Sequence, residues 1–164
     1  MALTQERLKE LLTYSPETGL FHWKVRTSNR IRAGDVAGCH DTHYGYVLIG
    51  IDGVVYGAHQ LAILYVTGAM PVEVDHENGN RRDNKFNNLR DCTHSQNQKN
   101  LKKPKHNTSG LKGVHFHKQS GLWRARIQAN GRHHSLGLHS TKELAHAAYR
   151  EGAIRHHGEF ARFQ

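Results

Sequence analysis

Cross-linking residues are almost absent. The 164-residue chain has two cysteines, Cys39 and Cys92, and neither stands in a C-x-x-C pair. This argues against a cysteine-held zinc site or a disulfide framework and fits a reducing, cytoplasmic setting. Long apolar runs are missing too. The longest, around residues 61–66, is far too short to span a bilayer, and the N-terminus lacks a signal-peptide pattern. The expectation is a cytoplasmic protein with no membrane partner. Hydrophobic residues make up 37% of the chain and the mean hydropathy is -0.72. One well-filled core would need more apolar side chains, so two small domains are expected.

Acidic side chains are scarce in one part only. Residues 1–97 carry ten Lys and Arg against eleven Asp and Glu, whereas residues 98–164 carry thirteen against three, with nine of the 15 His. The whole excess of the +9 net charge therefore lies in the C-terminal part. A cationic field of this kind attracts polyanions through counterion release and steers their approach. A solubilising basic face is the plainer explanation, but so complete an asymmetry favours nucleic acid.

Local patterns divide the chain in the same way. Residues 4–13 read as a short helix with Thr4 as N-cap and Leu8, Leu11 and Leu12 on one side. The turn residues of 15–19 end it, and residues 20–25 alternate as a strand. Asp52-Gly53 between the β-rich runs 44–51 and 54–58 predicts a tight hairpin. Residues 59–66 read as an apolar helix ending near Gly68, and residues 72–76 as a strand. Turn chemistry follows over 77–82, then partly helical stretches over 84–89 and around 94–100. Residues 98–108 hold Lys99, Lys102, Lys103 and Lys105 with hardly an apolar side chain. They read as a basic linker, either a phosphate-tracking strap or an inert tether. Beyond it, residues 113–116, 122–128 and 133–138 form three short strands, turned at 119–121 and at Asn130-Gly131. A helix over 141–155 closes the pattern, capped by Ser140 or Thr141, with Leu144, Ala145, Ala148, Tyr149 and Ala153 at helical spacing.

Chemistry concentrates at Val74-Asp75-His76-Glu77-Asn78-Gly79-Asn80, followed by Asn87-Asn88-Leu89-Arg90 and Ser95-Gln96-Asn97. An oxygen ligand for a divalent cation, a general base and a group to orient that base are what hydrolysis of a phosphodiester requires. The segment resembles the HNH nuclease signature in the Asp-His…Asn…Asn form of phage and intron-encoded homing endonucleases. The resemblance implies a ββα-metal (His-Me finger) fold, with His76 as general base and Asn88 holding its ring. It also implies Asp75 and Asn97 as metal ligands. One charged and one neutral oxygen suit Mg²⁺, with Mn²⁺ as the substitute. The products would carry 5′-phosphate and 3′-hydroxyl ends. An Asp-His pair taken alone is usually structural, and Asn78, Asn80, Asn84 and Asn87 are natural turn formers. His59, which opens the apolar helix, reads as a packing or phosphate-contacting residue.

In the C-terminal part, Lys112-Gly113-Val114, Trp123-Arg124-Ala125-Arg126-Ile127, Leu136-Gly137, Ala145-x-x-Ala148-Tyr149 and Gly158-Glu159-Phe160-Ala161 resemble the plant Apetala/ethylene-response-factor DNA-binding domain. The α+β fold expected for the whole is thus an HNH domain over 1–97, a linker over 98–108 and, over 109–164, a three-stranded antiparallel sheet packed on one helix. The resemblance implies double-stranded DNA as partner, with the sheet in the major groove. Arg124 and Arg126 share a strand face and are candidates for base edges. Arg132, Lys118 and the linker residues Lys102, Lys103 and Lys105 are candidates for phosphates. Trp123 is either core or a DNA contact. Lys112 stands where the family often has Arg, and it lacks the fork that reads guanine, which leaves it a phosphate contact. One such catalytic site cuts one strand, so a monomer nicks and a homodimer breaks both; no heptad pattern decides between them. A DNA-binding regulator with a degenerate HNH domain is the competing reading.

Overall fold

Thr4 caps the first helix, α1 (Gln5–Leu11), its Oγ1 accepting the Arg7 N–H at 3.2 Å. The helix is shorter than the periodicity predicts. At Leu12 the backbone becomes extended and runs directly into strand β1 (Leu12–Ser15), which pairs antiparallel with β2 (Leu20–Trp23). Leu8, Leu11, Leu12, Tyr14 and Phe21 are all buried, so the switch from helix to strand keeps one apolar surface facing inward. The structure, a computed structural model, describes residues 2–99, 107–161 and 163. The chain divides into two compact units, Met1–Thr93 and His94–Gln164. Lys102, Lys103 and Lys105 lie outside the described residues.

In the first unit, β3 (Cys39–His40), β4 (Val47–Ile51) and β5 (Val54–Gly57) form a three-stranded antiparallel sheet. The Asp52-Gly53 turn behaves as its residues predict, with φ of 49° and 80°. Strand β5 leads straight into α2 (Ala58–Thr67), which ends at a left-handed Gly68. Helix α2 buries Ala58, Leu61, Ala62, Ile63 and Leu64, more than one face, as a helix enclosed by other elements must. It packs against α1, β4 and β5. It also touches a further antiparallel pair, β6 (Glu73–His76) and β7 (Leu89–Cys92), which meet in the register Asp75↔Arg90 and His76↔Leu89.

The second unit opens with α3 (His94–Lys99). Its sheet consists of β8 (Val114–His117), β9 (Leu122–Ala129) and β10 (Arg132–His139), antiparallel with β9 in the middle. Helix α4 (Lys142–His157) packs on all three strands and is capped by Thr141, whose Oγ1 accepts the Leu144 N–H at 3.2 Å. Ala125 and Ile127 from β9 meet Ala145, Tyr149 and Ala153 from α4. Leu144 departs from the expected apolar stripe and is 53% exposed. The adjacent Ala145 holds the inward position, where a small side chain lets helix and sheet approach. No helix among the described residues is long and apolar enough to cross a membrane.

Candidate active site

The loop between β6 and β7 is tied together by asparagines. The Asn88 carboxamide accepts from the Asn78 N–H (3.0 Å) and donates to the Asp83 carbonyl (2.7 Å), while its own carbonyl receives the Glu77 N–H (2.9 Å). Asn78 donates to the Asp83 carboxylate at 2.8 Å and accepts from the Asn80 N–H at the same distance. Turn formation thus accounts for Asn78 and Asn80. Asn88, buried at 8% exposure, fastens the two ends of the loop to each other.

Asn88 is expected to hold the His76 ring; its amide bonds here run to loop groups. A side chain that does bond to the ring is Asn84, whose Oδ1 lies 3.2 Å from His76 Nε2. Asn84 Nδ2 donates to the Arg82 carbonyl (3.3 Å), which turns the amide oxygen toward the imidazole. The facing Nε2 therefore carries the hydrogen, and a neutral ring then has its lone pair on Nδ1. Burial pushes the His76 pKa below its ordinary value, with the Asn84 bond and the Asp75 charge acting against that shift. A neutral imidazole of fixed tautomer is the state that a general base needs.

Asn84 is itself held by the N-terminal hairpin. Tyr14 donates its hydroxyl to the Asn84 carbonyl at 2.7 Å, and the Pro16 carbonyl accepts the Phe86 N–H at 3.0 Å. Gly19, at φ 74°, lies so close to the Asn84–Lys85 peptide that a Cβ there would stand 2.5 Å from backbone atoms. The β1–β2 hairpin thereby connects the start of the chain to the tautomer of His76.

His59, at the start of α2, joins this cluster. Its ring centroid lies 5.2 Å from that of His76 and 4.8 Å from that of Tyr46. Gly57 makes room for it, since a Cβ at that position would run into the His59 ring. Burial, with the neighbouring His76 and Arg81, lowers the His59 pKa to about 4, and its buried Nδ1 has no hydrogen-bond partner. Arg81 lies over the Tyr46 ring at 4.7 Å and donates from Nη1 to the Tyr44 carbonyl at 2.9 Å.

Asp75 is 3% exposed, and its Oδ2 accepts from Arg90 Nε (2.8 Å) and Nη2 (2.7 Å). Asn97 lies on α3 of the second unit. Among the described residues no group of three or more His, Cys, Asp or Glu gathers as a metal site. Sequence reasoning passed over Asn84, Arg81, Tyr46 and Arg90. Arg90 was within reach of it, because antiparallel pairing of the two strands sets it opposite Asp75. Asn84 carries no such mark among the neighbouring asparagines.

In the second unit, Arg124 and Arg126 share the sheet face turned away from α4, alternating with buried Ala125 and Ile127. His115 pairs opposite Arg124, and Ser135 opposite Arg126. No Asp or Glu occurs between Lys112 and Lys142. Trp123 packs with the core of Val114, Ala125 and Ala145 and meets Phe116 edge-on at 5.3 Å. Of its two readings, core is the one that its surroundings support. Arg132, at the end of the β9–β10 hairpin, is exposed, whereas Lys112 is half-buried. His133 and His134 separate as strand neighbours must, with His134 stacked on His156 at 4.7 Å.

A buried histidine of set tautomer on a strand pair, beside an acidic residue and an asparagine-tied loop, defines a class. Residues 56–99 match the family model of the HNH endonucleases, a segment that contains His59, Asp75, His76, Arg81, Asn84, Asn88 and Asn97. Protein 3.8 of Escherichia phage T7 is 37% identical over 91 residues, which are 56% of this chain and 74% of that protein. The chain belongs to this phage family with an HNH endonuclease domain. No solved structure matches it.

Proposed function

We propose that the protein is a DNA endonuclease in which His76 takes a proton from the attacking water through Nδ1. The observation that carries this reading is the Asn84 bond to Nε2, which in a buried neutral ring puts the basic lone pair on Nδ1. Asn88 supports the same geometry by closing the loop that bears Asn84. HNH nucleases are generally dependent on a divalent metal. The buried Asp75 carboxylate is a hard oxygen donor of the kind that fits Mg²⁺ or Mn²⁺. Asp75 and Asn97 are the proposed ligands, and Arg90 holds the Asp75 carboxylate in one orientation. Bound there, the cation would offset charge on the leaving 3′ oxygen, so the products would carry 5′-phosphate and 3′-hydroxyl ends. The second unit is proposed to hold double-stranded DNA, with Arg124 and Arg126 at base edges and Arg132, Lys112, Lys102, Lys103 and Lys105 on phosphates.

One observation favours the regulator reading: the Arg90 guanidinium competes with any cation for Asp75. A supercoiled plasmid and phage genomic DNA, each with Mg²⁺ or Mn²⁺, separate the two. The endonuclease converts plasmid to open circle, and His76→Ala slows this by at least about 100-fold while binding persists. Direct conversion to linear product indicates two coordinated cuts, as a homodimer would make. Tight binding with no cutting of either DNA by the native protein establishes the regulator instead.

A further inference from the structure

Two arginines of the first unit are paired to carboxylates, while Arg26 bonds the Ser28 carbonyl and the Asn29 amide oxygen within its own loop. Arg7 meets Glu10 and Asp52, and Arg90 meets Asp75. Arg81 differs. Among the described residues no carboxylate lies within ion-pair distance of it; a backbone carbonyl and an aromatic ring hold it instead. Its supports are themselves fixed. Asp41 caps the turn beneath by accepting the His43 (3.0 Å) and Tyr44 (2.8 Å) N–H groups, and its own N–H closes onto the Tyr46 carbonyl at 2.8 Å. That turn presents the Tyr44 carbonyl to Arg81 and sets the Tyr46 ring between Arg81 and the two imidazoles.

A guanidinium has five N–H donors, and one bond to a carbonyl leaves most of them for another acceptor. A cation held rigid beside a general base, without an anionic partner of its own, matches an incoming oxyanion. Arg82, the next residue, is exposed and shares none of these contacts. We propose that Arg81 is the phosphate-contacting residue of the active site, donating to a non-bridging oxygen of the phosphodiester beside His76. The Tyr46 ring and the Tyr44 carbonyl hold it in register. This inference rests on the endonuclease reading for its substrate and adds the group that receives the phosphate.

Two measurements on the full chain test it separately from that reading. In the first, ¹⁵N-labelled native protein and Arg81→Gln are titrated with dimethyl phosphate. The Arg81 Nε–H and His76 ring signals move in the native protein, and the His76 response weakens at least ten-fold in the variant. In the second, single-turnover cutting at saturating protein falls about 100-fold in Arg81→Gln, the scale for removing one transition-state donor. Duplex affinity stays within three-fold, and Arg81→Lys recovers only part of the rate. Native cutting with an unchanged rate in Arg81→Gln overturns the proposal and leaves the endonuclease reading intact. A slowed variant whose phosphate response equals the native one also overturns it, since Arg81 would then act only by bracing Tyr46. A phosphate response that depends on Arg81 in a protein that cuts no DNA supports the anion site and removes the nuclease.

Discussion

His59 shows how a single side chain can lend the fold a pH dependence apart from the chemistry. Its ring is enclosed by Tyr46, His76 and the Gly57 backbone, and burial brings its pKa from 6.5 to about 4. In the unfolded chain it would protonate near 6.5. Between those values the unfolded state binds a proton that the folded state refuses. The stabilising contribution is therefore complete above pH 6.5 and is lost as the pH falls toward 4, by about 3 kcal/mol in all. Denaturant unfolding of the native chain and His59→Phe at pH 7 and pH 4.5 measures the difference. The native chain should lose more stability than the variant on acidification, and equal losses would mean that His59 is solvated. Asn84 and Asn88 teach the complementary lesson. Both are buried amides in one loop, yet one meets the imidazole and the other the backbone.

At the level of elements, the β1–β2 hairpin matters more than its distance in sequence from His76 suggests. Tyr14, Pro16 and Gly19 all touch the segment 84–86, through two hydrogen bonds and one close backbone approach. Gly19→Ala introduces a left-handed alanine, which costs roughly 1–2 kcal/mol in backbone conformation alone, and its Cβ would displace the Asn84–Lys85 peptide. The expected result is a lower unfolding midpoint together with slower cutting at temperatures where the variant is still folded. A variant that is destabilised yet cuts at the native rate would show that the hairpin supports the fold without setting the ring. The helix-to-strand switch at Leu12 belongs to the same economy of burial. A continued helix would give up the pairing of β1 with β2 and with it the Tyr14 contact to Asn84.

Across the whole molecule, charge separates the two units. The first holds the Asp75-His76 cluster at near-neutral balance, and the cationic excess falls in the C-terminal part. Polyanion affinity should accordingly weaken steeply as salt rises, with a slope of about 0.9 per phosphate neutralised. Replacing Arg124 and Arg126 together by Ala should lower specific duplex affinity about ten-fold or more and relax discrimination, as loss of base-edge contacts does. Cutting at saturating protein should stay near the native rate. Unchanged affinity over a salt titration would remove that sheet face from DNA recognition.

Much of this was legible in one dimension because its cause is local. The Asp52-Gly53 and Asn130-Gly131 turns need only backbone freedom, and both pairs take positive φ. The Thr4 and Thr141 caps need only a hydroxyl three residues ahead of an N–H. Alternation on β9 is enough to set Arg124 and Arg126 on one face, and the Asp75-His76 signature is contiguous in sequence. The tertiary structure alone decided which of several asparagines meets His76 and where Arg81 rests. Those choices depend on segments tens of residues apart closing on one another: Tyr14 on Asn84, Tyr44 on Arg81, His59 on His76. Composition and periodicity carry no record of such closures, because the asparagines of the loop share one local chemistry until packing distinguishes them.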